Sequence, residues 1–467
     1  MPAAFDVAVI GAGVVGAAVA RALSGFELRT VLLEAGPDVG TGTSKANTAI
    51  LHTGFDAEPG SLEARLVARG HALMGRYAEE VGIPLERTGA CLVAWNDDEL
   101  AQLPRIEEKA RANERRDLRH VSAEELYALE PHLGPGARGG LLVPGESILC
   151  PFTATLALAT EAVVNGVELR LNSRVTSVGT DGSCHLLHCG SEPLAARWVV
   201  NAAGLHSDTV EGLFGFQRFR VRPRRGELIV FDKLARRLLR HVLLPVPTTK
   251  SKGVLVAPTV FGNLLLGPTA DDVPDKDDRS TTREGLDFLR ARAEQILPPL
   301  VREEVTATYA GVRAATESSD YQIHCDPPQR YLCLGGIRST GLSASLGIAE
   351  HALGLLSGSL TLVPKPARKT VRMPPVGEGM VRPHEDASLV ARDADYGRIV
   401  CHCERVTLGE IRDALRAPIP ARSLDGLRRR TRALQGRCQG FYCLARLVSL
   451  LAKETGRPAA SFLEALG

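Results

Sequence analysis

Four cysteines near the end of the chain are spaced for joint chemistry. Cys401-x-Cys403 is followed, after 34 intervening residues, by Cys438-x4-Cys443. Four thiolates in two close pairs suit zinc or an iron–sulfur cluster. Structural zinc knuckles usually carry a wider C-x2-4-C spacing, yet the residues alone leave zinc, iron–sulfur and no metal open. Near the start, Gly11-x-Gly13-x-x-Gly16 is followed 18 residues later by Glu34. Gly11 allows a tight turn, Gly13 admits a pyrophosphate close to the backbone, and Gly16 lets a helix pack near a sheet. Val14 and Val15 open that helix, whose N-terminal N–H groups favour phosphate. Glu34, with Ala35 after it, is placed to accept from a ribose 2′-hydroxyl, which disfavours NADP. The fingerprint does not separate NAD from FAD. Two further residues have useful chemistry. His52 has an ordinary pKa near neutrality and suits a general base. Arg313 offers a planar fork to a carboxylate or phosphate, with Lys252 as a weaker second cation.

These groups need elements to hold them. An apolar run over 5–10, an Ala-rich stretch over 14–23 and a β-branched run over 29–34 read as strand, helix, strand. Residues 61–81 predict an amphipathic helix, 103–116 a charged one and 151–165 an apolar one. Strands are expected at 167–171, 174–178 and 198–203. Residues 218–270 alternate like an antiparallel sheet, 284–296 read as a helix, 331–334 as a buried strand and 342–356 as a small-residue helix. Five prolines fall in 363–385, which marks a surface linker. Cys184 and Cys189 fall on opposite faces at strand period, so that cluster reads as plain strand. Cys91, Cys150, Cys325 and Cys333 read as core.

The 467 residues exceed one small core, and 44% apolar with 24% charged residues is a soluble globular composition. Balance between 56 basic and 54 acidic residues argues against nucleic acid as a partner. Only nine basic residues are Lys, a skew that reads as coding bias. No apolar run is long enough to span a bilayer, and the first residues lack a basic n-region. The expected compartment is the cytoplasm, with the ten cysteines reduced.

Residues 41–56, TGTSKANTAILHTGFD, form a polar, small-residue segment soon after Glu34. With the N-terminal fingerprint it resembles the D-amino-acid-oxidase-like superfamily, in which this segment wraps FAD. The resemblance implies flavin contacts from Thr43, Ser44, Lys45, Asn47 and Thr48. Val199–Gly204 resembles the second flavin contact, through Ala203 and Gly204. Gly335–Leu342 resembles the third, through Gly336, Arg338, Ser339, Thr340, Gly341 and Leu342. Arg174-Val175 resembles the adenine-holding strand, with Val175 the contact. At the far end, CHCERVTLGEI and LDGLRRRTRALQGRCQGFYC resemble the [2Fe-2S] domain of bacterioferritin-associated ferredoxin. They are closer to the version fused to the FAD subunit of anaerobic glycerol-3-phosphate dehydrogenases. The C-x4-C pair departs from the small ferredoxin's C-x2-C and fits the fused form.

The implied fold is α/β, α+β overall. A Rossmann-like FAD-binding domain (about 1–80, 150–215 and 325–362) carries an inserted antiparallel-sheet substrate domain (about 85–149 and 216–324). A linker (363–395) leads to a small α-rich [2Fe-2S] domain (396–467) ligated by Cys401, Cys403, Cys438 and Cys443. The implied activity is oxidation of a small anionic alcohol, sn-glycerol 3-phosphate, with electrons passed through the cluster to a partner subunit. His52 would take the hydroxyl proton, or only hydrogen-bond flavin or backbone, and Arg313 would hold the anion. The same fold also serves L-2-hydroxyglutarate, hydroxyproline, opines and other amino acids, and oxidase or sensor roles are further alternatives. Contact with a quinone would be peripheral or through another subunit. Arg428, Arg429 and Arg430 read either as neighbours of an anionic cluster or as a solvated face. The Arg-rich 412–437 stretch reads as a docking face for an acidic partner, or as a solvated helix.

Overall fold

The computed structural model describes residues 4–190, 192–247 and 253–463. Its first sheet is built on the strand Phe5–Ile10, which pairs in parallel with Thr30–Leu33 on one side and Leu194–Asn201 on the other. Glu168–Arg170 extends the parallel set beyond Thr30–Leu33, and Tyr331–Gly335 extends it beyond Leu194–Asn201. All of Phe5–Ile10 but Asp6 is buried, as expected for a parallel strand covered on both faces. The helices Val14–Leu23, Pro151–Val164, Leu62–Val81 and Gly341–Ser357 pack against one another to cover the sheet. A side chain at Gly70 would collide with the Ser343 carbonyl, and one at Gly347 with that of Leu66. The two long helices therefore cross at backbone contact, which brings Gly341, at the start of one, over the nucleotide turn.

The second sheet has nine strands. Its spine is the antiparallel pair Val221–Phe231 and Val305–Thr316, which sets Arg313 opposite Arg224. Gly311 lies against the Ala46 carbonyl, where a side chain would clash, so this sheet presses directly on the 43–47 segment. One pairing departs from the expected antiparallel pattern: Val242–Pro245 runs parallel to Ala90–Ala94. That pairing joins two stretches of the chain edge to edge.

Several boundaries move. The expected 103–116 helix is Asp97–Ala112, because the Asn96 side chain caps the Glu99 N–H at 2.8 Å and three acids fill the first turn. The 174–178 strand is Ser177–Thr180, which leaves Arg174 and Val175 in the irregular segment facing the nucleotide side.

The C-terminal unit is a two-stranded hairpin, Ile399–Cys401 with Val406–Thr407, and the helices Leu408–Arg416, Leu424–Thr431 and Leu444–Thr455 around their own apolar core. The 363–395 segment is strapped to the first unit. Lys365 N–H donates to Gly25, Met373 N–H to Val81 and Glu378 N–H to Val260. Much of the 412–437 basic stretch, expected at the surface, turns inward. Arg429 and Arg430 are buried on Asp38, and Arg432 pairs with Glu404 while stacking over Phe261 at 3.9 Å.

Candidate active site and cysteine centre

One cavity of about 1880 Å³ runs through the first unit, and residues of the C-terminal unit line one side of it. The dinucleotide turn forms its floor. Gly11 has φ +103°, and a side chain there would lie 2.6 Å from the Ala202 carbonyl, so the position demands glycine. Ser44 Oγ accepts from the Val14 N–H at 2.9 Å, occupying the helix end where a phosphate would sit. Glu34 accepts from the N–H groups of Ala12 and Gly36, each at 2.8 Å, which fixes its carboxylate at the cavity wall. Gly13, Val14, Val15, Glu34, Ala35, Thr43, Lys45, Asn47 and Thr48 line the cavity beside Ser44. So do Val175, Ala203, Gly204, Gly336, Arg338, Ser339, Gly341 and Leu342. Two expected contacts lie behind the wall. Gly16 packs on the Gly11 carbonyl, the close approach anticipated for it. Thr340 is buried, donating to Glu63 at 2.7 Å and bonded to Tyr321 at 2.6 Å.

His52 lines the same cavity. Its Nδ1 lies 3.0 Å from Glu146 Oε2, and Glu146 has no exposed side-chain surface. The other oxygen of Glu146 accepts from Thr53 N–H at 2.7 Å and Thr53 Oγ1 at 2.8 Å. With Glu146 as the acceptor, Nδ1 is the protonated nitrogen, the tautomer that leaves Nε2 as the basic one. Arg313 lines the cavity from the second sheet and donates to the Thr269 carbonyl at 2.7 Å. Burial lowers its pKa to about 10, which leaves it charged at neutral pH. No carboxylate among the described residues pairs with it within ion-pair distance. A buried cation of this kind is suited to an anionic ligand. Arg338 is different: it pairs with Glu63 at 2.8 Å, so its charge is already matched. Lys252 lies outside the described residues.

The four C-terminal cysteines come together from two turns. Cys401 ends a strand and Cys443 precedes the helix Leu444–Thr455. The thiols of Cys401 and Cys443 are hydrogen-bonded, as are those of Cys403 and Cys438. Cys401 is drawn down to about 6, first by the Cys443 thiol and then by the N–H groups of Glu404 and Leu434, against the opposing effect of burial. The Cys443 thiol is pushed up, first by that same bond and then by burial. Among the described residues no three Cys, His, Asp or Glu side chains converge on one ion position. A two-iron cluster asks for less: two thiolates per iron, with N–H donors around the sulfurs. The two touching pairs and their backbone donors fit that demand. Leu434, Gln439 and Leu444, which flank the cysteines, also line the large cavity, so the centre sits against its wall.

The family description "FAD dependent oxidoreductase" (DAO) matches residues 6–354, and "BFD-like [2Fe-2S] binding domain" matches 399–453. The chain belongs to the FAD-dependent oxidoreductases of the DAO family. It binds FAD, and its C-terminal unit is a [2Fe-2S] domain. The chain is 35% identical to a glycerol 3-phosphate dehydrogenase of Caloramator mitchellensis, over 97% of this chain and 95% of that one. It is 27% identical to a subunit of the anaerobic glycerol-3-phosphate dehydrogenase of Escherichia coli K12, over 99% and 90%. The L-alpha-glycerophosphate oxidase of Mycoplasma pneumoniae, solved with FAD bound, superposes with a TM-score of 0.75 at 30% identity, covering 80% and 99%.

Features of this oxidoreductase that sequence reasoning missed are all acids. Glu146 lies 94 residues from His52. It stands alone in the turn of LVPGESIL, where a charged residue reads as solvent-exposed. Asp38, Glu63 and Asp425 likewise answer cations far away in the chain. Lys45, expected to touch flavin, also pairs with Asp425 of the [2Fe-2S] unit at 3.2 Å. Burial lowers the pKa of Lys45, and Asp425 opposes that shift.

Proposed function

We propose that this chain oxidises sn-glycerol 3-phosphate to dihydroxyacetone phosphate and delivers the electrons to a separate acceptor. The observation that carries the reading is one cavity lined together by the dinucleotide turn, the Glu146-held His52 and Arg313, a cation that no described carboxylate reaches within ion-pair distance. Likeness to glycerol 3-phosphate enzymes along nearly the whole chain supports it. Arg313 binds the phosphate and fixes the carbinol carbon. His52 Nε2 removes the hydroxyl proton, and Glu146 stabilises the resulting imidazolium. FAD held by the dinucleotide turn and the 43–48 segment would supply the hydride acceptor, and a [2Fe-2S] centre held by Cys401, Cys403, Cys438 and Cys443 would supply one-electron transfer.

The Escherichia coli relative is one subunit of its dehydrogenase, which supports a partner protein as the acceptor. No helix among the described residues is long and apolar enough to cross a membrane; we place the chain in the cytoplasm, touching a membrane through that partner. An anaerobic substrate panel with a dye acceptor tests the proposal. Glycerol 3-phosphate bleaches the flavin, while L-2-hydroxyglutarate, hydroxyproline and opines do not. Bleaching by an amino acid and not by glycerol 3-phosphate overturns it.

A further inference from the structure

The C-terminal unit meets the first at a buried ion triad. Asp38 is 5% exposed, Arg429 7% and Arg430 4%. Asp38 Oδ2 accepts from Arg429 at 2.7 Å and from Arg430 at 2.6 Å, and Oδ1 accepts from Arg430 at 2.9 Å. Arg429 also donates to the Val39 carbonyl at 2.8 Å. Arg430 is anchored within its own unit on the Ile419 and Gly426 carbonyls. Lys45 with Asp425, Lys233 with Glu404, and Arg437 with Asp232 and Glu304 also cross between the units and are more open.

Position gives this triad its meaning. Asp38 follows Glu34 on the loop that walls the nucleotide end of the cavity, and that loop is tied to the dinucleotide turn by the Gly40 N–H to Ala12 bond. Arg429 and Arg430 end the helix Leu424–Thr431. Four residues after Arg430 is Leu434, which packs with Cys401 and Cys443 in one apolar cluster. One carboxylate thus connects the nucleotide loop to the backbone that cradles the cysteines.

We propose that Asp38 is a positioning residue for electron transfer, and that its grip on Arg429 and Arg430 docks the [2Fe-2S] unit at the distance the flavin requires. This rests on the reading that electrons leave through the cluster. In that step one electron leaves the reduced flavin and the oxidised cluster takes it up, becoming paramagnetic. Arg429 keeps Asp425 as a counter-charge at 3.1 Å, but removing Asp38 strands Arg430 without one. Asp38→Asn leaves two guanidiniums facing a neutral amide, and the helix Leu424–Thr431 loosens where it met the first unit.

The test uses the full-length holoprotein, with flavin and iron assayed first. Hydrogen exchange at amides 424–434 is expected to quicken by about a hundredfold in Asp38→Asn, the factor for breaking a buried ion pair. Asp38→Glu restores part of the protection. Arg416→Ala, whose pair with Glu454 lies within the C-terminal unit, changes nothing. In a second arm the flavin is reduced photochemically without oxygen or substrate, and the cluster signal is followed by electron paramagnetic resonance. It rises at least about tenfold more slowly in Asp38→Asn, the scale of loss from misplacing a reacting partner. Bleaching of the flavin by glycerol 3-phosphate slows less than this transfer does. Should Asp38→Asn fail to fold, Arg429→Gln and Arg430→Gln carry the same expectations. Unchanged exchange together with unchanged transfer overturns the proposal. A wild-type cluster that photoreduced flavin never reduces overturns the electron path instead, and the exchange arm still decides the docking role.

Discussion

The flavin cavity and the cysteine centre assemble in opposite ways. The cavity gathers its working groups from remote points: His52 with Glu146, and Arg313 on Thr269. Each is held by a different element, and two sheets must meet at Gly311 and Ala46 before the groups share a space. The cysteine centre takes its four thiols from two turns of one small unit. The first site is therefore a property of the whole scaffold, and its parts have separable jobs. The second is local, and its ligands act as a set. Orienting groups inside a rigid frame supports proton and hydride chemistry; a compact thiolate nest supports a one-electron relay.

The largest effect expected from this contrast comes from the relay. Cys438→Ala removes the cluster absorption and the iron, abolishes turnover with a one-electron acceptor, and leaves substrate bleaching of the flavin intact. Loss of flavin bleaching as well would mean that the two regions are not separable. Next is the base: His52→Ala lowers the rate of flavin reduction by about 10²–10⁴-fold, the usual worth of a positioned base. Glu146→Gln costs less than His52→Ala and shifts the pH profile of that rate, because the neutral amide no longer stabilises the imidazolium. An equal loss with an unshifted profile would reduce Glu146 to a structural part. Third, Arg313→Ala raises KM for glycerol 3-phosphate by about 10–100-fold, the range for one charge-assisted hydrogen bond, with a smaller change in kcat. A fall in kcat alone would remove Arg313 from substrate binding. The smallest effect is Arg416→Ala, an exposed pair with Glu454, for which calorimetry should find no change in melting.

The same contrast decides what could be read in the sequence. Gly11, Gly13, Gly16 and Glu34 carry their meaning within one βαβ unit, and the cysteine spacing carries its own, so both were legible. The helix Leu62–Val81 was legible from its period, and the structure adds its Ser61 cap. Glu146 was not, because a lone acid in a turn looks solvated until the fold buries it beneath His52. The run Arg428–Arg430 reads as one face with one fate. The helix divides it: Arg428 stays half exposed on Asp425, while Arg429 and Arg430 reach Asp38 across 391 and 392 residues. Periodicity shows which residues share a face but not which distant carboxylate that face will meet. The proline-rich 363–385 stretch signalled the absence of regular structure, and its backbone bonds to Gly25, Val81 and Val260 had no local trace.

The central claim is that one polypeptide joins a substrate-reduced flavin to a one-electron relay. Anaerobic titration of the purified protein with glycerol 3-phosphate tests it, followed by absorption and paramagnetic resonance together with an iron assay. The account predicts about two irons per chain, bleached flavin bands, and a reduced-cluster signal that grows with added substrate. Flavin that bleaches while the iron is absent, or while the cluster stays oxidised, would contradict it.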